Sequence, residues 1–221
     1  MISIIAVDYH GKEFKDILID SVQLKTRGEY ELLIHDNGIH NIGHGAGLDA
    51  LVKKAKGDYI LALDIDSHIM MNDWDLTLLA RYAEKKTQGI KLIAGQGGTL
   101  KPIRPCVAFF ERDYFLDNKM SFKSKNVDGA KFDVGILFYF QVLSLGDKVS
   151  FFRVERSTYK DVRGNNYHMG AKPFVYHHWY GTRWFNQKGK RVHDTIDGVT
   201  FEEFERSKNL LIKQYNAANR P

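Results

Sequence analysis

Four aspartates in the first third of the chain stand where carboxylates do chemistry. Asp64 and Asp66 are one residue apart directly after the apolar run "YILAL", and His68 follows two positions on. Asp8 closes the run "ISIIAV" and Asp36 closes "ELLIH". Burying an uncompensated charge is costly, so carboxylates that end apolar runs mark an edge where those runs leave the interior. There an Asp-x-Asp pair can offer one carboxylate to a divalent cation while the other orients a ribose or a water. Hard ions such as Mg²⁺ and Mn²⁺ take oxygen ligands and share them with phosphates, so a diphosphate would complete the shell. The structural alternative is that Asp66 starts a turn or caps the helix approaching Trp74.

Such an edge requires strands laid side by side. Residues 2–7 form a short isoleucine-rich run, the pattern of a strand buried on both faces. Phe14, Ile17, Leu18, Ser21 and Val22 then recur at helical spacing. A second strand, "ELLIHDNG", closes in the turn signal Asn37-Gly38. Leu48, Leu51, Val52 and Ala55 make the stripe of a second helix, Gly57 suits its end, and residues 59–63 are the third strand. Strand, helix, strand, helix, strand implies right-handed crossovers and a parallel sheet. Asp8, Asp36 and Asp64 would then gather at its carboxyl edge, where open α/β sheets bind ligands.

Beyond Trp74 the pattern loosens. Leu76, Leu79, Ala80 and Ala83 predict a helical face, "IKLIAG" a fourth strand, and "CVAFFERDYF" a strand or strand-turn segment. Residues 117–132 read as a polar surface loop, and "VGILFYFQVLSLG", apolar nearly all round, as a buried helix. Arg153 to Gly170 is basic and poorly periodic, the pattern of a mobile functional loop, and a helix is predicted from Phe201 to Ala218.

A chain of 221 residues with 43% hydrophobic and 27% charged residues has an ordinary globular composition. It is expected to form one compact unit. No apolar run approaches the roughly 20 residues of a membrane span, and the N-terminus lacks a signal pattern, so a cytoplasmic location is expected. The one cysteine, Cys106, rules out an internal disulfide and reads as a small buried residue without a metal-ligand neighbour in sequence. The net charge of +5 is compatible with a nucleoside diphosphate, a polyanion or peripheral contact with an anionic membrane surface. The basic clusters, Arg153 to Arg163 and Lys188 to Arg191, lack a nucleic-acid-binding pattern, so no nucleic-acid partner is expected.

Together "ISIIAVDYH", "YELLIHDNG" and "NIGHGAGLDALVKKAKGDYILALDID" resemble the nucleotide-sugar half of the family 2 glycosyltransferases. That family has the GT-A fold, an α/β architecture with a Rossmann-like, mostly parallel central sheet flanked by helices and a smaller acceptor-side region. The resemblance implies one GT-A domain over 1–221, with residues 1–95 as the nucleotide-sugar half and 96–221 as the acceptor half. It implies a metal-dependent inverting transferase moving a sugar from a nucleotide-diphosphate-sugar donor to a hydroxyl acceptor, with Mn²⁺ or Mg²⁺ as cofactor. On these positions Asp8, Tyr9, Asp36, Asn41, Gly43, Asp64, Ile65 and Arg183 would bind the donor, and Asp66, Asp64 and His178 the metal. Two departures, Asp8-Tyr9-His10 in place of Thr-Tyr-Asn and Asp49 in place of asparagine, bear on donor preference.

The family also uses an acidic base at the start of a buried helix. Asp133 occupies that place and could take the proton of an acceptor hydroxyl; it could equally cap the helix, and Asp128 is the reserve. The neighbours His177 and His178 point opposite ways if extended, so one of them faces the cleft, and His178 is the choice here. Trp179, Tyr180, Trp184 and Phe185 suit either a lid or core. Two other functions compete. An Asp-x-Asp phosphohydrolase carries its motif on the first strand rather than the third, and a catalytically silent nucleotide-sugar or carbohydrate-binding module would dispense with the base.

Overall fold

The computed structural model describes residues 1–96, 103–127, 130–157, 162–178, 184 and 190–219. Strand β1 (Ile2–Asp8) is followed by α1 (Glu13–Lys25), β2 (Tyr30–Asp36), α2 (His44–Lys54) and β3 (Tyr59–Leu63). Next come β4 (Ser67–Ile69), α3 (Trp74–Lys86), β5 (Ile90–Gln96), β6 (Ile103–Glu111), α4 (Arg112–Asp117), β7 (Lys125–Val127) and β8 (Ala130–Phe132). The last third holds α5 (Ile136–Ser144), β9 (Lys148–Arg156), β10 (Gly164–Met169), β11 (Lys172–His178), β12 (Thr195–Ile196), β13 (Val199–Thr200) and α6 (Phe201–Asn219).

Nine strands form one sheet in the order β2-β1-β3-β6-β5-β9-β10-β11-β4. The parallel pairing expected of the first three strands is present, β1 lying parallel to both β2 and β3, and β5 parallel to β9. The remaining neighbours are antiparallel. β4 follows β3 after a three-residue turn, yet it occupies the far end of the strand order and pairs with β11. The sheet must therefore curl until its last strands meet the carboxyl end of β3. That closure positions the site.

Alternation along β1 sorts its side chains between two apolar layers. Ile2, Ile4 and Ala6 join Leu18 and Val22 of α1 and Trp74, Leu78 and Tyr82 of α3. Ile5 and Val7 join α2 and the aromatic cluster of Phe110, Phe115, Phe122 and Phe138 on the other face. Burying each such side chain contributes about 1.5–3 kcal/mol. A third cluster, including Phe14, Tyr176, Trp184 and Phe204, seats α6.

Four predicted elements differ. α3 buries Trp74, Asp75, Leu78 and Tyr82, leaving Leu76 and the alanines outside, because its two large aromatic rings outweigh the small alanine stripe. The segment 117–132 is only partly a surface loop: Phe122 is fully buried, 5.4 Å from Phe115 and 5.2 Å from Phe138 between ring centroids, ahead of the β7–β8 hairpin. α5 is buried on one side only, with Phe140 and Leu143 exposed and Leu145, just past its end, exposed as well. Much of the supposed mobile segment after Arg153 is the end of β9 and all of β10.

Candidate functional site

The turn between β3 and β4 carries Asp64 and Asp66, and its backbone is held on both sides. The Asp64 N–H donates to the carbonyl of Cys106 on β6 at 3.1 Å, and the Ser67 N–H donates to the Asp64 carbonyl at 3.0 Å. On the opposite side the His178 N–H donates to the Asp66 carbonyl at 2.9 Å, while β11 pairs His177 with Ser67. This register delivers the His177 ring to the carboxylates. Its Nε2 lies 3.3 Å from Asp64 Oδ2 and 3.3 Å from Asp66 Oδ1. His44, at the start of α2, brings its Nε2 within 3.6 Å of Asp64 Oδ1. The Cys106 sulfur completes the group: one ligand atom each from Asp64, Cys106 and His177 all lie within 4.8 Å of one another. Cys106 Sγ is also 2.8 Å from the Tyr167 hydroxyl.

Burial works against a charge on His177, but it is outweighed. Electrostatic attraction from the Cys106 side chain and from Asp66, with hydrogen bonds to Asp64 and Asp66, raises His177 well above the ordinary histidine range. A protonated imidazole at this position compensates the two carboxylates.

The expectation that His178 is the histidine facing the carboxylates is corrected. Its ring lies on the opposite side of β11, fully buried, 5.0 Å from Phe14 and 5.7 Å from Phe204, with Nε2 3.1 Å from Ser207 Oγ. The alternation of an extended strand permits one of the pair at the site, and pairing with β4 selects His177. His68 faces the same interior, 5.1 Å from the rings of both Tyr176 and Tyr215. Burial, then the charges of Lys25 and His178, push its pKa down to about 3.

Asp8 and Asp36 stand in register at the ends of β1 and β2. With His10, Lys12, Glu13, Lys15 and Asp16 they line an open cavity of about 460 Å³. Asp8 Oδ1 accepts the Gly11 N–H at 2.7 Å, and its Oδ2 is 3.2 Å from Lys15 Nζ. Asp36 Oδ1 accepts the N–H groups of Gly38 at 2.8 Å and Ile39 at 3.2 Å. Both carboxylates therefore also fasten the loops that shape the cavity. The loop after β1 holds His10 at φ 59° and Lys12 at φ 39°, left-handed conformations that cost non-glycine residues energy and cluster at functional sites.

Of the remaining predicted donor residues, Tyr9 adjoins this cavity loop with its ring 4.9 Å from that of His10. Asn41 Oδ1 accepts the Gly43 N–H at 2.8 Å, and Gly43, at φ 87°, is the N-cap of α2. Ile65 turns its side chain into the core, so what it offers a ligand is backbone. Arg183 lies outside the described residues, as do Asp128, Trp179, Tyr180 and Phe185. Trp184 is buried in the cluster beneath α6, the core rather than the lid position for that residue.

Asp49 is structural. Its Oδ2 accepts the Ser121 hydroxyl at 2.6 Å and its Oδ1 the Phe122 N–H at 2.7 Å, tying α2 to the segment before β7. Gly45 explains the closeness of that contact, since a Cβ there would stand 2.6 Å from the Phe122 carbonyl oxygen. Asp133 is exposed at the approach to α5 and accepts the Val134 N–H at 2.9 Å. The N-cap of α5 is Gly135, at φ 79°, rather than Asp133.

Neither a scan of family models nor a search of curated proteins returned a match. Solved structures did. The S. aureus TarS fragment 1–349 aligns with a TM-score of 0.51 at 14% identity, covering 80% of this chain and 60% of that one. Its complex with UDP-GlcNAc aligns at 0.50 and 12% identity, over 79% and 57%. The fold is of the GT-A type. The mannosyltransferase PcManGT from Pyrobaculum calidifontis, in complex with GDP-Man and Mn²⁺, also has this fold and aligns at 0.50 and 12% identity, covering 68% of this chain and 54% of that one. This chain thus spans about three-fifths or less of the length of these structures. Among its described residues no helix is long and apolar enough to cross a membrane.

A divalent cation fits the donor set at the β3–β4 turn. His177 Nε2, the ring nitrogen that would bind the ion, stands 3.3 Å from a carboxylate oxygen of Asp64 and 3.3 Å from one of Asp66.

Proposed function

We propose that this protein transfers a sugar from a nucleotide-diphosphate-sugar donor to a hydroxyl acceptor, with inversion at the anomeric carbon. The observation that carries the reading is the convergence of the β1, β2 and β3 carboxyl ends. There the cavity lined by Asp8 and Asp36 belongs to the same edge as the turn of Asp64, Asp66 and His177. The cavity takes the nucleoside, with Asp36 and Asp8 meeting its polar edges and Lys12 and Lys15 supplying positive charge near the diphosphate. Tyr9, Asn41, Gly43 and the Ile65 backbone shape that side, and Arg183 is assigned to the diphosphate by sequence alone.

Asp66, Asp64 and His177 would hold Mn²⁺ or Mg²⁺. Such an ion, when bound, neutralises charge that develops on the departing diphosphate. Asp64 is shared between ribose and cation, and His44 steadies it from the far side. Residues 1–95 form the donor half, and residues 96–221 supply the acceptor side. Asp133 takes the acceptor proton as the hydroxyl attacks from the face opposite the diphosphate, its carboxylate being exposed at the approach to α5.

The test is Asp133→Asn. Transfer should fall by about 10²–10⁴-fold, the usual contribution of a general base, while nucleotide binding stays at the wild-type level. Unchanged turnover would remove Asp133 from the mechanism. Absence of any turnover in the wild type, with nucleotide binding intact, would favour the silent binding module instead.

A further inference from the structure

The thiol of Cys106 has no part in the function as described, yet it lies beside Asp64 and His177. It comes from β6, where antiparallel pairing with β3 sets Val107 opposite Leu63, so Cys106 falls level with the residue that follows β3. The Asp64 N–H bonded to the Cys106 carbonyl fixes that level. Its sulfur is buried, and the Tyr167 hydroxyl stands 2.8 Å away as a ready donor to a thiolate.

The spacing suits coordination. Donors about a tetrahedral ion, at bond lengths of roughly 2.0–2.3 Å, stand roughly 3.3–3.5 Å apart. His177 already meets both carboxylates at 3.3 Å, and ligand atoms of Cys106, Asp64 and His177 lie within 4.8 Å of one another, a group that leaves Asp66 out. A set of carboxylate oxygens, one imidazole and one thiolate differs from the all-oxygen surroundings that suit Mg²⁺, and thiolate selects softer ions.

We infer that Cys106 is a ligand of the cation at the Asp64–Asp66–His177 turn and biases the site toward a thiophilic divalent ion of the Zn²⁺ class. Tyr167 then acts from outside the coordination shell, donating to the sulfur and orienting it. This deepens the donor-site reading by naming the ion that the site prefers, and it rests on that reading for the position of the ion near the diphosphate.

The experiment is titration of the purified full chain with Co²⁺, without nucleotide. Cys106 is the chain's only cysteine, so a thiolate-to-cobalt charge-transfer band in the near ultraviolet can come from no other residue. The band should grow to one equivalent and be displaced by Zn²⁺ but not by equimolar Mg²⁺. In Cys106→Ser it should vanish, and Zn²⁺ affinity should fall by at least the roughly 10- to 100-fold that loss of an outer-shell partner alone costs. If Cys106→Ser does not fold, the wild-type spectrum alone decides. Cobalt binding without the band, or no cobalt binding, overturns the inference. Stabilisation by nucleoside diphosphates is measured separately: nucleotide binding without the band leaves the donor site standing, and the band without nucleotide binding refutes the donor site instead.

Discussion

Acidification should destabilise this protein through a residue outside the proposed chemistry. His68 on β4 is 2% exposed, its ring 5.1 Å from those of Tyr176 and Tyr215. Burial, followed by the charges of Lys25 and His178, places its pKa at about 3 against 6.5 for the free side chain. Between those values the unfolded chain binds a proton that the native chain refuses. The contribution is therefore complete above pH 6.5 and is lost as pH falls toward 3, at about 1.4 kcal/mol per pH unit. From about pH 7 to about pH 4.5 the loss is about 2–3 kcal/mol, set against a typical total of about 5–15 kcal/mol. Other groups titrate over the same range, so the decisive quantity is the difference between wild type and His68→Gln, which stays polar but cannot titrate. Urea unfolding across that range should show the two stability curves converging as pH falls, by about 1 kcal/mol or more per unit. Curves that stay parallel would refute the assignment of a buried neutral imidazole. The consequence reaches the site, since β4 directly follows Asp66 and pairs with the strand of His177.

Asp49→Ala should cost about 1–3 kcal/mol, because it strips an acceptor from the Phe122 N–H and the Ser121 hydroxyl in a buried setting. A lower urea midpoint at unchanged slope would register it, and an unchanged midpoint would contradict the structural role given to Asp49. The two adjacent histidines should separate cleanly. His178→Ala should lower the melting temperature of the ligand-free protein, since the ring packs against Phe14 and Phe204 and meets Ser207, while any cation-dependent gain on adding nucleotide persists. His177→Ala should abolish that gain, and the reverse pattern would restore His178 to the site.

The first half of the fold was legible because its signals are local. Buried isoleucine runs, helical stripes and turn residues between residues 2 and 63 mark elements that form where they were expected. The gathering of Asp8, Asp36 and Asp64 follows from the parallel order of their strands. What stayed hidden depends on pairing between distant segments. No periodicity announces that β4 crosses to the end of the sheet, and without that crossing the choice between His177 and His178 is a matter of strand parity. Cys106 and His44 reach Asp64 from 42 and 20 positions away, so neither forms a motif with it. β10 was missed for another reason. Asn165, Asn166 and His168 are buried polar residues, and a strand built on them lacks the apolar alternation that identifies strands.

The central claim is that the edge formed by β1, β2 and β3 binds a nucleoside diphosphate together with a divalent cation. The most direct measurement is the melting temperature of the full chain with UDP or GDP, each with and without Mn²⁺ or Zn²⁺. A ligand that binds the native state alone stabilises it by about 2.7 kcal/mol at a hundred times its dissociation constant, so the shift should rise with nucleotide concentration. The account predicts that at least one nucleoside diphosphate raises the melting temperature, that the cation enlarges the shift, and that Asp66→Asn removes the enlargement. A melting temperature that no nucleoside diphosphate moves, with either cation present, would contradict it.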